Sequence, residues 1–195
     1  MKKTSKLLVI SAFVSTFANA AIIDENATKV IATGYKTKTQ IAVPMTFTNV
    51  KFNFLKTQGS ISEILTGATS SVDLLSVDTY KNPLRDKNMR DKLFSKFLAT
   101  SVQAKIKSVD GDDSKGTIKA SITLNEQSKD VLMNYEIQGD KIKGDKLVAT
   151  GVIDLETDFG VKEAYDSFRT DKIVSGLHAK QTSPKVQISF EVPIK

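Results

Sequence analysis

The chain has 195 residues, 40% of them hydrophobic, and a formal charge of +6 from 28 basic and 22 acidic side chains. It contains no cysteine, which excludes disulfides, thiol catalysis, thiolate metal sites and a cysteine-linked lipid anchor. Its lysines are scattered among acids, and its arginines are only Arg85, Arg90 and Arg169, too few for a surface that reads nucleic-acid phosphates.

The chain starts with a basic stretch, Met1 to Lys6, then a mostly apolar run from Leu7 to Phe17, then Ala18-Asn19-Ala20. This is the three-part layout of a secretory signal peptide. The apolar run falls short of the roughly twenty residues that cross a bilayer. Cleavage is expected after Ala20, with residues 1–20 as signal peptide and residues 21–195 as one exported domain without a stable membrane anchor. Losing Lys2, Lys3 and Lys6 from the 28 basic residues leaves 25 against 22 acidic ones, a net +3.

The mature chain alternates. Residues 29–37 read as a strand, and residues 41–54 as a long one. In the long strand the apolar set shifts from Ile41, Val43, Met45 and Phe47 to Val50, Phe52 and Phe54, so a bulge or bend is expected near Thr48-Asn49. Residues 69–79 make a third strand. Asn82-Pro83 then supplies an N-cap and a first-turn proline, followed by Met89, Leu93 and Phe97 at spacings of four. The spacing predicts one amphipathic helix over residues 84–98.

Period-two alternation resumes with Val102, Ala104 and Ile106, and again with Ile118, Ala120, Ile122 and Leu124. It recurs at Val131, Met133, Tyr135 and Ile137, and at Leu147, Ala149, Gly151, Ile153 and Leu155. A second short helix is expected over residues 162–168. The last strand carries Val186, Ile188, Phe190, Val192 and Ile194 on one face. Turn signals separate these runs: Asp110-Gly111-Asp112-Asp113, Asn125-Glu126-Gln127-Ser128, and Gly139-Asp140 with Gly144-Asp145. Eight antiparallel strands with one apolar face each satisfy their edges by closing. The expected fold is all-β, a single eight-stranded antiparallel barrel with one amphipathic helix.

Catalytic signals are sparse. His178 is the one histidine and has no sequence partner for a triad or metal site. Asp110, Asp112 and Asp113 read as a solvated hairpin turn, since the distal glutamate of a calcium loop is missing. Arg85 and Asp86 are expected chiefly to pin the helix, with a ligand headgroup as the other use of the pair. Lys36 is a weaker headgroup candidate.

The segment Asn82-Pro83-Leu84-Arg85-Asp86-Lys87-Asn88-Met89-Arg90-Asp91-Lys92-Leu93-Phe94 resembles the signature of the YceI-like family. Thr33-Gly34-Tyr35-Lys36-Thr37 with Thr46-Phe47 is similar to that family's first hairpin, and Asp158-Phe159-Gly160-Val161 to its late Asp-Phe-Gly-aliphatic element. The chain departs from the pattern at Asn88, where many members carry histidine. It also lacks the glycine usual in the hairpin after Leu124, and it has no tryptophan. The resemblance implies a lipocalin-like barrel in the bacterial periplasm that binds long isoprenoid chains, such as polyprenyl quinone precursors.

Periodicity alone leaves a packed interior and a hollow one evenly balanced. The small Ala104, Ala120, Ala149 and Gly151 leave room inside, and the resemblance favours a cavity. Its walls are expected from Val43, Met45, Phe47, Val102, Ile106 and Ile122. Met133, Tyr135, Ile153, Phe159, Ile188 and Phe190 are expected to complete them. The leading expectation is a periplasmic binding or carrier protein for an elongated apolar lipid such as a polyisoprenoid, not an enzyme. No metal, cofactor or nucleic-acid partner is expected. The alternatives are an enzyme acting on a small amphiphile in the same cavity, or a filled structural barrel. The sequence leaves open whether two copies pair into a homodimer.

Overall fold

The structure, a computed structural model, describes residues 20–139, 144–178 and 182–195. Residues 1–19 of the expected signal peptide, and the turn residue Asp140, lie outside these. Among the described residues the strands are β1 (Ala21–Ile22), β2 (Lys29–Lys36), β3 (Ile41–Phe47), β4 (Val50–Asn53), β5 (Gln58–Gly59), β6 (Thr69–Asp73) and β7 (Val77–Asp78). After them come β8 (Ser101–Gly111), β9 (Lys115–Leu124), β10 (Gln127–Gln138), β11 (Lys146–Asp154) and β12 (Thr182–Pro193). The helices are α1 (Ile61–Leu65), α2 (Pro83–Lys92), α3 (Leu155–Phe159), α4 (Lys162–Thr170) and α5 (Lys172–His178).

One strongly curled antiparallel sheet dominates, in the order β4-β6-β8-β9-β10-β11-β12-β2-β3-β7, and β1 pairs with β5 in a separate ribbon. The main sheet therefore has ten strands, not the expected eight. The difference arises because two of the expected runs are each divided. The run over residues 41–54 splits at Thr48-Asn49, where the chain stops pairing with β2 and begins pairing with β6. The run over residues 69–79 splits at a 3-10 turn, Leu74–Ser76, which the Asp73 carboxylate caps by accepting the Leu75 N–H at 2.9 Å. Across the two breaks the backbones stay bonded, with Thr48 N donating to Ser76 O at 3.0 Å and Asp73 N donating to Asn49 O at 3.0 Å.

The helices follow their caps. Ser60 and Glu63 form a reciprocal capping box that starts α1. Asn82 Oδ1 accepts the Arg85 N–H at 3.0 Å and Pro83 occupies the first turn of α2. α2 ends at Lys92, short of the expected residue 98. There the Ser95 hydroxyl donates to Asp91 O at 2.8 Å, and the chain tightens into a 3-10 turn, Phe94–Lys96. Leu93 and Phe97 are buried as expected, whereas Met89 is only half-buried. Leu155, expected in a strand, instead begins α3, because Asp154 Oδ1 accepts the N–H groups of Glu156 at 3.0 Å and Thr157 at 3.1 Å. α3 closes on Gly160 at a φ of 63°, so the Asp-Phe-Gly element is a helix end.

Two ties hold the helices to the sheet. Asp86 Oδ1 accepts from the Thr79 N–H at 2.8 Å and the Thr79 hydroxyl at 2.6 Å, fastening α2 beside β7. Asn125, at a φ of 51° in the two-residue turn between β9 and β10, is buried. Its Oδ1 accepts the Leu98 N–H at 2.7 Å and its Nδ2 donates to Phe159 O at 3.1 Å.

The tightest core lies towards the β8–β9 turn, where Ile61, Ile64, Leu65, Ile118, Leu147 and Val192 are essentially fully buried. α1 packs against β8 there, and the Ile61 N–H donates to Asp113 Oδ1 at 2.8 Å.

Asp86→Ala leaves the buried Thr79 donors unpaired and should cost about 1–3 kcal/mol in chemical denaturation. The Glu63 carboxyl is held down to about 2, chiefly by the Lys56 ammonium and then by Ser60, against 4.5 when unperturbed. Its contribution to α1 is thus complete above pH 4.5 and lost as pH falls through about 2, which hydrogen exchange of the α1 amides should show.

Candidate functional site: an apolar cavity inside the curled sheet

The interior away from that tight core is hollow. A cavity of about 450 Å³ is enclosed by every strand of the large sheet except β7, with α2, α4 and α5 over it. This volume is within the range of small-ligand sites. Both halves of the divided first run face it: Val43, Met45 and Phe47 before the break, Phe52 and Phe54 after it. Phe47 and Phe52 are an odd number of residues apart, so the break at Thr48-Asn49 shifts the inward parity, which accounts for the shift in the apolar pattern.

The cavity walls include Val43, Met45, Phe47, Val102, Ile106, Ile122, Met133, Ile153, Ile188 and Phe190. Tyr135 and Phe159, expected beside them, do not line the cavity. Tyr135 points inward at the tight-core end, where its hydroxyl donates to Asp112 O at 2.6 Å and its ring closes on Gly111 and Gly116. Phe159 is fully buried beneath the β9–β10 turn. Of the small residues expected to leave room, Ala104 and Ala120 line the cavity, whereas Ala149 and Gly151 do not. A Cβ at Gly151 would lie 2.9 Å from Met133 Cγ and 3.1 Å from Leu132 O, so that space is already taken. Gly34 supplies the room instead: a Cβ there would meet only Met45 Cε, at 3.8 Å.

Part of the polar lining comes from strands, with Thr69 and Ser70 on β6 and Thr182, Ser183 and Ser189 on β12, and part from a helix that the alternation did not mark. α2 and its N-cap present Asn82, Arg85 and Asn88 to the cavity, with Met89 and Leu84 beside them. Arg85 and Asn88 are three residues apart, one helical turn, which is the signal that places them on one face. Lys36 of β2 is also on the wall. Arg85 makes no ion pair among the described residues, and Asp86, its neighbour, turns away to Thr79.

From α4, Tyr165 and Phe168 reach the cavity, and Val174 does so from α5. Tyr165 is 3% exposed, and burial pushes its phenol up to about 12, with the Glu156 and Asp154 carboxylates acting in the same direction. The Thr182 hydroxyl and the Arg169 guanidinium oppose this in part. Among the described residues no three His, Cys, Asp or Glu side chains group as metal ligands. In the Asp110–Asp113 turn, Asp112 Oδ1 accepts the N–H groups of Ser114 at 2.7 Å and Lys115 at 2.9 Å, and the Ser114 hydroxyl at 2.5 Å. His178 ends α5.

Gly34→Leu should therefore keep the thermal midpoint close to that of the parent, because the added side chain enters empty space. Gly151→Leu, which must displace Met133 and a backbone carbonyl, should lose about 1–3 kcal/mol in the same melts.

Comparison with known proteins agrees with this architecture. Burkholderia cenocepacia BcnA superposes with a TM-score of 0.60 at 12% identity, over 87% of this chain and 98% of that one. A polyisoprenoid binding domain from Saccharophagus degradans, implicated in plant cell wall breakdown, superposes at 0.55 with 15% identity, over 89% and 96%. A mutant CJ YceI protein made for nanotechnology applications gives 0.52 at 20% identity, over 78% and 85%. At these identities the likeness is one of fold. Among curated proteins no sequence matches. The sequence model of the YceI-like domain matches residues 22–194, and this protein belongs to the YceI-like family.

Proposed function

We propose that the protein binds or carries an elongated apolar lipid of the polyisoprenoid or isoprenoid-quinone class in the bacterial periplasm. The observation that carries this reading is the cavity of about 450 Å³, walled by aliphatic and aromatic side chains from nine strands. Such a space favours ligands that need burial rather than a hydrogen-bond code. A tail burying about 400 Å² of apolar surface gains roughly 10 kcal/mol gross, at about 25 cal/mol per Å². Association and ordering costs remove part of that.

The polyisoprenoid binding described for the Saccharophagus degradans domain supports the ligand class. Met45 and Met133 add adaptable surface to the wall, suited to a flexible chain. The ten expected residues that line the cavity are the proposed ligand contacts, with Phe52 of β4 and Phe54 just after it added. The signal-like start of the chain supports export, and no described helix is long and apolar enough to cross a membrane.

Native mass spectrometry of the mature protein, followed by organic extraction, tests this reading. A copurifying lipid is expected with the parent protein. It should be absent from Ala104→Phe and Gly34→Leu while their melting temperatures hold. Loss of stability in both variants, with no lipid found in the parent and none taken up when supplied, overturns the carrier reading.

A further inference from the structure

The cavity wall is charged in one sense only. Lys36, the last residue of β2, and Arg85, in the first turn of α2, both line it, whereas no Asp or Glu among the described residues does. Both cations are half-buried, and among the described residues neither side chain has an ion pair or a hydrogen bond. The acids around α2 are engaged elsewhere: Asp91 with Lys87, Asp171 with Lys92, and Asp86 with Thr79. Two positive charges therefore border a mostly apolar space with no counter-charge on its wall, where a charge gains most from a partner.

A buried amide stands with them. Asn88 lies one turn beyond Arg85 on α2, lines the cavity and is 8% exposed, yet its side chain makes no hydrogen bond among the described residues. It is not one of the polar groups sealed from every probe, so a ligand in the cavity can reach it. Protein interiors pair nearly all their buried polar groups, so an unpaired amide on a hollow wall calls for a partner from outside the chain. On the same side of the helix, Asn82 Oδ1 is committed to the Arg85 N–H at 3.0 Å, which leaves its NH2 as the free half of that amide.

The chemistry of the partner follows from this set. A guanidinium fork, an ammonium and amide NH2 groups are all donors, so the partner offers several acceptor oxygens and negative charge. A carboxylate brings one charge and leaves one cation unbalanced. A phosphate monoester brings about −1.5 to −2 near neutral pH, with three strong acceptor oxygens, which matches two cations and their amide neighbours. The rest of the wall is aliphatic and aromatic, which suits an ester of an apolar chain and gives free phosphate nothing further to bind.

Resting on the carrier reading above, we propose that Lys36, Arg85 and Asn88 form a headgroup site for a phosphate monoester at one end of an otherwise apolar chain. The site sets the headgroup end of the ligand beneath α2 and selects phosphorylated isoprenoids over their neutral alcohols.

The test is calorimetric titration of the mature protein, stripped of copurified lipid, with farnesyl monophosphate, farnesoic acid, farnesol, farnesene and inorganic phosphate. Arg85→Gln and Lys36→Gln are titrated beside it, with Lys38→Gln as a control, since Lys38 is exposed in the β2–β3 turn and off the cavity wall. The monophosphate should bind the parent at least about tenfold more tightly than any other probe. Arg85→Gln and Lys36→Gln should each remove most of that margin and leave farnesol and farnesene affinities unchanged, while Lys38→Gln keeps it. Ligand-free melting temperatures should stay within about 2 °C of the parent, because neither cation has a partner to lose.

A phosphate preference that survives either cavity substitution, or that Lys38→Gln weakens equally, overturns the headgroup site while leaving the carrier reading standing. So does farnesoic acid, farnesol or inorganic phosphate binding as tightly as the monophosphate. A larger fall in melting temperature with equal losses for all probes marks the cations as structural and also overturns the site. Absence of binding by every probe, farnesene included, overturns the carrier reading and the headgroup site together.

Discussion

The fold depends on one stretch of chain keeping its apolar side inward while it changes partners. β3 pairs with β2 and β4 pairs with β6, at opposite ends of the sheet order. The two strands are joined by only Thr48-Asn49, so the same run draws both ends of the sheet together. An uninterrupted alternation through that point would turn either the β3 or the β4 side chains outward. The break there shifts the parity and prevents this, and Phe52 and Phe54 stack with ring centroids 6.1 Å apart on the inner side. Curling, enclosure and the cavity all follow from that local departure from period two.

The interior that results is filled at one end and hollow elsewhere. Towards the β8–β9 turn, α1 and the fully buried Ile118, Leu147 and Val192 leave no room. Under α2, α4 and α5 the walls stand apart. Beside their buried side chains, such as Phe168 and Val174, the helices there carry polar ties, Asp86 with Thr79 and Lys92 with Asp171 at 2.6 Å. A packed barrel and a ligand-holding barrel are thus two zones of one molecule.

Most of the sheet was legible because its strands keep one apolar face, and β9, β10 and β11 follow their alternation closely. What alternation cannot report is depth along the strand. Met133 and Tyr135 share a face of β10, yet one reaches the cavity and the other is wedged against Gly111 and Gly116. The short helices were hidden for a different reason. α3 has five residues, too few for a helical period to show, and its signal lay in the cap at Asp154. The end of α2 was masked because Leu93 and Phe97 continue a helical spacing after the helix has stopped. Tyr165 of α4 carried no signal in the alternation, and only three-dimensional packing brings it to the cavity wall.

The turn at Asn125 explains a departure of this chain from its family's usual hairpin. Glycine would adopt the left-handed backbone there with less strain. It would also delete the side chain that joins the segment after α2 to the carbonyl ending α3. Aspartate could still accept from Leu98, but it has no hydrogen to offer Phe159 and would face that carbonyl with a charge. Asparagine alone serves the bend and both bonds, so the position is constrained twice over. The tip of this hairpin consequently cannot fray by itself: opening it also releases the roof on either side.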